Sequence, residues 1–311
     1  MASGAAPVTA PRRRRVRLPR FALAAPSWAW YLLFFVVPLA FIVVYSFGYK
    51  PALGTSSSSI GLDRLSTSNY GRTFSATFVS TFWASVKVSV IGTTLCLLIG
   101  FPLAYFLATR VTPRWRGLML GLVIVPFWTS FLLRTFAWRI ILSANGFFSN
   151  FLQSTGLLHN PLQILDTREA VQIGVVYNYL PLMIFPVFVA LDRLDPALRE
   201  ASKDLGAGRV RTFLGVTLPL AAPGLAAGLL LVFIPLMGEY VTPSLLGGAK
   251  GLMAGNLVVS QFLEAQNWAL GSAMAVVLVG LTLAIIAVFA IVAAAATYVL
   301  RRRRAVDVVT A

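Results

Sequence analysis

Charge is what this sequence lacks most. Only 12% of its 311 residues are charged, and acidic residues number 10. A typical soluble domain carries about 25% charged residues and about 45–50% apolar ones. Here 58% are hydrophobic. A water-soluble core cannot hide that excess, so the lipid bilayer is the expected solvent. Cysteine is nearly absent: Cys96 alone excludes an internal disulfide and reads as a small packing residue. Histidine is reduced to His159, in a polar loop beside Asn160 and Pro161. One histidine supplies neither a metal cluster nor a nucleophile–histidine–acid set. The four lysines, Lys50, Lys87, Lys203 and Lys250, never directly follow a glycine. A phosphate-binding P-loop is therefore missing, and the chain is not expected to hydrolyse ATP itself.

Long apolar runs are what the sequence does have. Six stand out, at 27–49, 81–109, 117–142, 170–191, 217–238 and 269–300. Each exceeds the roughly 20 residues that a helix needs to cross a ~30 Å hydrocarbon core. Continuous runs favour helices over the alternating strands of a barrel. The expected fold class is an all-α polytopic membrane protein with six transmembrane helices. The last run is longer than one crossing requires, which calls for tilt or projection from the membrane. Residues 1–26 read as a disordered basic tail, and 301–311 as a second basic tail.

Net charge of +16 suggests nucleic acid, but its placement excludes that partner. Arg12–Arg15 and Arg301–Arg304 flank apolar runs, as membrane-orienting charges do. With both termini cytosolic, 18 of the 26 basic residues face the cytosol, five face outward and three lie within spans. The outer loops then sum to zero charge, which leaves no electrostatic barrier to a cation.

The cytosolic loop 192–216 is unusually well made. Asp195 is a strong N-cap, Pro196 suits the first helical position and Gly206 suits a left-handed stop. A helix is predicted from Pro196 to Leu205, with Leu194, Leu198, Ala201 and Leu205 on one side. A second short helix should follow over 210–214. On local physics alone, the first helix is either a connector lying on the bundle or a projection that fits a partner's groove.

The run Glu200-Ala201-Ser202, three residues, Gly206, nine residues, Val216, one residue, Leu218-Pro219 resembles the EAA loop of ABC-type importer permeases. Ser202 replaces the family's second alanine, and Val216 replaces its isoleucine. Segments 126–138, 162–167 and 238–248 are similar to the spermidine/putrescine branch. The resemblance covers most of the chain from the first span onward. It implies a type I importer (MetI-like) architecture in a bacterial inner membrane. It also implies a cytosolic ABC ATPase dimer, a second homologous permease forming a heterodimer, and a periplasmic or lipid-anchored solute-binding protein. ATP would be bound by the ATPase, leaving this chain without a cofactor or metal. Glu200, Ala201, Ser202, Asp204, Leu205 and Gly206 would form the ATPase-coupling helix. The substrate implied is a polyamine or similar organic cation. The alternatives are another solute on the same fold, or an ion-coupled secondary carrier. The carrier predicts inverted repeats with paired broken helices, which the sequence does not display.

Candidate pathway residues are Glu239, Tyr240, Asn178, Tyr179 and Trp128. A carboxylate beside an aromatic ring suits an amine cation, although Glu239 with Tyr240 also fits an interfacial belt. Asn178 and Tyr179 precede Pro181, where a kink frees backbone carbonyls to line a pore; packing of helices is the other reading. Arg134 lies deep in the third span and calls for a carboxylate or carbonyl partner. Arg139 and Lys87 are expected to snorkel. Pro223, Gly224 and Gly228 point to close packing or a hinge in the fifth span.

Overall fold

The computed structural model describes residues 20–51 and 60–309, with side chains over 24–51 and 60–295. Among the described residues every regular element is helical, and one isolated antiparallel bridge joins Tyr49 to Gly61. Five helices are long and apolar enough to cross a membrane: Ala24–Ser46, Ala76–Thr109, Arg168–Asp192, Arg209–Met237 and Trp268–Ala295. A sixth crossing is broken. Pro113–Trp128 and Phe131–Ile141 meet at an 86° bend.

Several boundaries differ from the apolar pattern. The first helix starts at Arg20, inside the tail expected at 1–26, whose residues 1–19 lie outside the described set. Phe21 to Ala25 are mostly good helix formers and carry the helix past Pro26. The second span begins at Ala76, capped by the Ser75 hydroxyl, which accepts the Phe78 amide. The fifth is continuous from Arg209, through a π-helical turn at Phe213–Thr217. The backbone of the last helix runs on to Val309; side chains beyond 295, including Arg301–Arg304, lie outside the described set. The Ser56–Ser59 run of the first outer loop is likewise outside it.

The second, fourth and fifth spans form the core. Cys96, Leu107, Val175, Met183, Val187, Val232 and Leu236 are buried there together. Small residues bring these helices close, which is how membrane helices gain packing without a hydrophobic driving force. Gly224 shows this directly: a Cβ there would stand 2.3 Å from Ala190 Cβ and 2.6 Å from the Pro186 carbonyl oxygen. The first span lies outside this core and buries none of its apolar window. Its outer end is latched instead, as the Asn69 amide donates to the carbonyls of Ser46 (3.0 Å) and Gly48 (2.7 Å).

After the third span the chain forms a short helix, Phe147–Ser154, with Phe147 and Phe151 exposed and stacked. After the fifth span the chain does not form a free loop. Residues Pro243–Gly247 make a π-helical turn packed on the fourth span, where Leu246 and Thr242 press on Gly174.

Candidate functional site

The loop after the fourth span folds much as its caps dictate. Its helix covers Pro196–Asp204, with Leu205 as the C-cap. One carboxylate oxygen of Asp195 accepts the Ala197 amide at 2.9 Å, satisfying an otherwise unpaired donor. Gly206 stops the helix at φ +81°, in the left-handed region that favours glycine. The amides of Gly206 and Ala207 close the end on the carbonyls of Lys203 and Ser202, at 2.8 and 3.1 Å. The second short helix is Arg209–Thr212, one residue earlier than the pattern suggests at its start.

Of the six coupling candidates, Glu200, Ala201, Asp204, Leu205 and Gly206 are exposed and Ser202 is half-buried. Leu194 packs on the core, but Leu198 is 48% exposed and Leu205 89%, so the far end of this face is left open. Ser202, the residue that departs from the family pattern, has a task of its own. Its hydroxyl lies 3.1 Å from that of Thr212, joining the two short helices.

A second polar group lies among the spans. Glu239, only 6% exposed, caps the helical turn that follows it. One oxygen accepts the Val241 and Thr242 amides at 2.9 and 3.0 Å. The other accepts the Tyr179 hydroxyl from the middle of the fourth span. Asn178, the preceding residue, is buried and donates from its amide nitrogen to the Thr135 hydroxyl at 3.1 Å. Its carbonyl oxygen and the Thr242 hydroxyl are buried without a hydrogen-bond partner. The structure thus joins Glu239 to Tyr179 and places Asn178 beside them in sequence, tied to the third span. Tyr240 is 44% exposed, and its backbone carbonyl accepts the Asn256 side chain. Trp128, 83% exposed at the bend in the third span, shares none of these hydrogen bonds.

Arg134 requires a correction. A buried guanidinium was expected to meet a carboxylate or a carbonyl. Its Nε and one terminal nitrogen have no hydrogen-bond partner, and its Cζ lies 5.3 and 5.8 Å from the ring centres of Phe127 and Phe131. Phe131 stands three residues before it on the same helix, and Phe127 stands seven before it, on the other side of the bend. Cation–π attraction rather than ion pairing holds this charge. Arg139 is exposed and donates to the Leu245 carbonyl at 2.9 Å, and Lys87 is exposed. Sequence reasoning missed Thr135 and Thr242 altogether; hydroxyls in an apolar run carry little individual signal.

The sequence pattern of the family of binding-protein-dependent transport system inner membrane components matches residues 100–305. The chain belongs to this family. It is an inner membrane component of a transport system and not an enzyme. The spermidine/putrescine transport system permease protein PotB of Haemophilus influenzae is 39% identical to this permease over 249 residues, covering 80% of this chain and 85% of the relative. PotB of Escherichia coli K12 is 37% identical over the same length, covering 80% and 88%. Among solved structures, a bacterial ABC transporter that imports alginate contains a chain similar to this permease. The TM-score is 0.66 at 16% identity, covering 86% of this permease and 91% of that chain. That likeness shows a shared fold.

Proposed function

We propose that this permease forms half of the membrane pathway of an ATP-driven polyamine importer and takes its motion from a cytosolic ATPase through the Pro196–Asp204 helix. The observation that carries the coupling role is the helix itself. It is capped at both ends and exposes Leu198 and Leu205 to solvent, as a helix built for a partner's groove does. The ATPases bind and hydrolyse ATP as a dimer. A second homologous permease completes the pathway, and an external binding protein delivers solute. The ATPase drives transport by binding one transporter state better than another.

Three features favour an amine cation. The relatives just described are spermidine/putrescine permeases by name. The outer loops sum to zero charge. Glu239 sits at the outer end of the fifth span, and its carboxylate keeps acceptor capacity. About four lone-pair sites are available on a carboxylate, and three hydrogen bonds are made. One site remains for an ammonium N–H, with Tyr240 next to it in sequence and Tyr179 bonded to it from the fourth span.

Uptake in vesicles tests both parts. With the ATPase, second permease and binding protein present, Glu200→Arg or Gly206→Asp should abolish spermidine uptake while the permease stays in the membrane and ATP hydrolysis persists. Normal uptake by both variants would end the coupling role. Another solute on the same fold is the second reading, favoured by the structural likeness to an alginate importer. A ligand screen on the binding protein separates the two.

A further inference from the structure

The cytosolic helix has a second face. Arg199, Glu200 and Lys203 line a cavity of about 410 Å³, walled by Arg110 at the inner end of the second span and by Arg209 and Thr212 at the root of the fifth. By the helical repeat, these side chains are centred about 180° from Leu198, Ala201 and Leu205. The cavity thus lies behind the apolar face of the helix, and of the six coupling candidates Glu200 alone lines it.

Its charge is unbalanced. Four cations, Arg110, Arg199, Lys203 and Arg209, meet one carboxylate, Glu200. Among the described residues the only ion pair within 4 Å is Arg116–Asp192, elsewhere, so none of the four cations is paired there. Like charges on one concave wall repel each other and focus a positive field on any anion that enters. Three guanidinium groups offer paired N–H donors that match the oxygens of a phosphate. The cavity also has the right depth for a headgroup. It begins where the second span ends, at Thr109 and Arg110. Anionic lipid phosphates lie at that level of the inner leaflet, and basic pockets between helix ends are where they settle.

We propose that this cavity is a binding site for a phosphate-bearing anion, gripped by Arg110, Arg199, Lys203 and Arg209. The bound anion bridges three separate elements: the second span, the cytosolic helix and the root of the fifth. It stiffens the joint between that helix and the spans. Binding stands on the geometry alone; only its consequence for transport rests on the coupling role.

The test uses the 311-residue chain in nanodiscs, with thermal unfolding and native mass spectrometry as readouts. Phosphatidylcholine discs give the baseline. Phosphatidylglycerol mixed into the discs is one probe, and soluble pyrophosphate added to phosphatidylcholine discs is the other. One or both should bind and raise Tm. Arg199→Gln with Lys203→Gln should weaken binding about tenfold or more, since charge-assisted contacts are the strong ones. Arg110→Gln, on a different element, should weaken it independently, whether or not the double variant folds. Arg193→Gln, outside the cavity, should leave it unchanged. A response to phosphatidylglycerol alone identifies a lipid headgroup; a response to pyrophosphate alone identifies a soluble phosphate. If neither probe binds, or if Arg110→Gln binds as tightly as the parent chain, the site does not exist.

Discussion

The Tyr179 hydroxyl donates to the Glu239 carboxylate, joining the middle of the fourth span to the segment just beyond the fifth. Sixty residues separate the two in sequence. Together with the Val241 and Thr242 amides, this bond fixes where the chain re-enters toward the bundle. Tyr179→Phe leaves a buried carboxylate oxygen without that donor. The expected loss is about 1–3 kcal/mol, read as a lower Tm in nanodiscs. Glu239→Gln keeps the shape and tests the charge; spermidine uptake should fall further in it than in Tyr179→Phe.

Asp195→Ala removes the acceptor of the Ala197 amide. Loss of such a cap costs about 0.5–2 kcal/mol. Hydrogen exchange should report it as faster exchange of the amides over 196–204, with the membrane spans unaffected. Unchanged protection would mean that packing rather than capping holds this helix.

Gly206→Ala separates conformation from space. A Cβ at this position meets nothing within 4 Å, yet φ is +81°. The left-handed conformation costs a non-glycine residue about 1–2 kcal/mol. Gly206→Asn should be milder, because asparagine tolerates that region. The measurement is ATPase-coupled uptake together with exchange rates in 196–204. Equal, undiminished behaviour of both variants would remove the conformational argument.

Gly224→Val tests the opposite case, where space is decisive. The added carbons would overlap Ala190 and the Pro186 carbonyl, forcing the fourth and fifth spans apart. Overpacking of this kind costs about 1–3 kcal/mol. A lower Tm is expected, with little change for Gly117→Ala, where a Cβ meets nothing within 4 Å.

Much of this was legible in the sequence because its signals are local. Run length announced the spans. Asp195, Pro196 and Gly206 announced a helix, and the structure ends it one residue before Leu205. What stayed hidden depends on distance. Nothing in the spacing of Tyr179 and Glu239 says that they meet, since that contact follows from how two spans pack. Arg134 was misread for the same reason. A charge in an apolar run implies a partner, but only the bend in the third span brings Phe127 and Phe131 to it as rings rather than as bulk. Pro126 hinted at that bend, but proline occurs in unbroken spans too, as Pro102 and Pro181 do here.

The 86° bend itself has a consequence for how the molecule lives in lipid. Thr129 and Ser130 interrupt the helix midway along the third apolar run, and both are exposed on the isolated chain beside Trp128. Hydrocarbon cannot solvate bare peptide groups, so irregular backbone survives at such depth only under protein or against water. The solitary subunit is therefore an unfinished surface at that corner, comfortable in the bilayer only once something other than acyl chains closes over it.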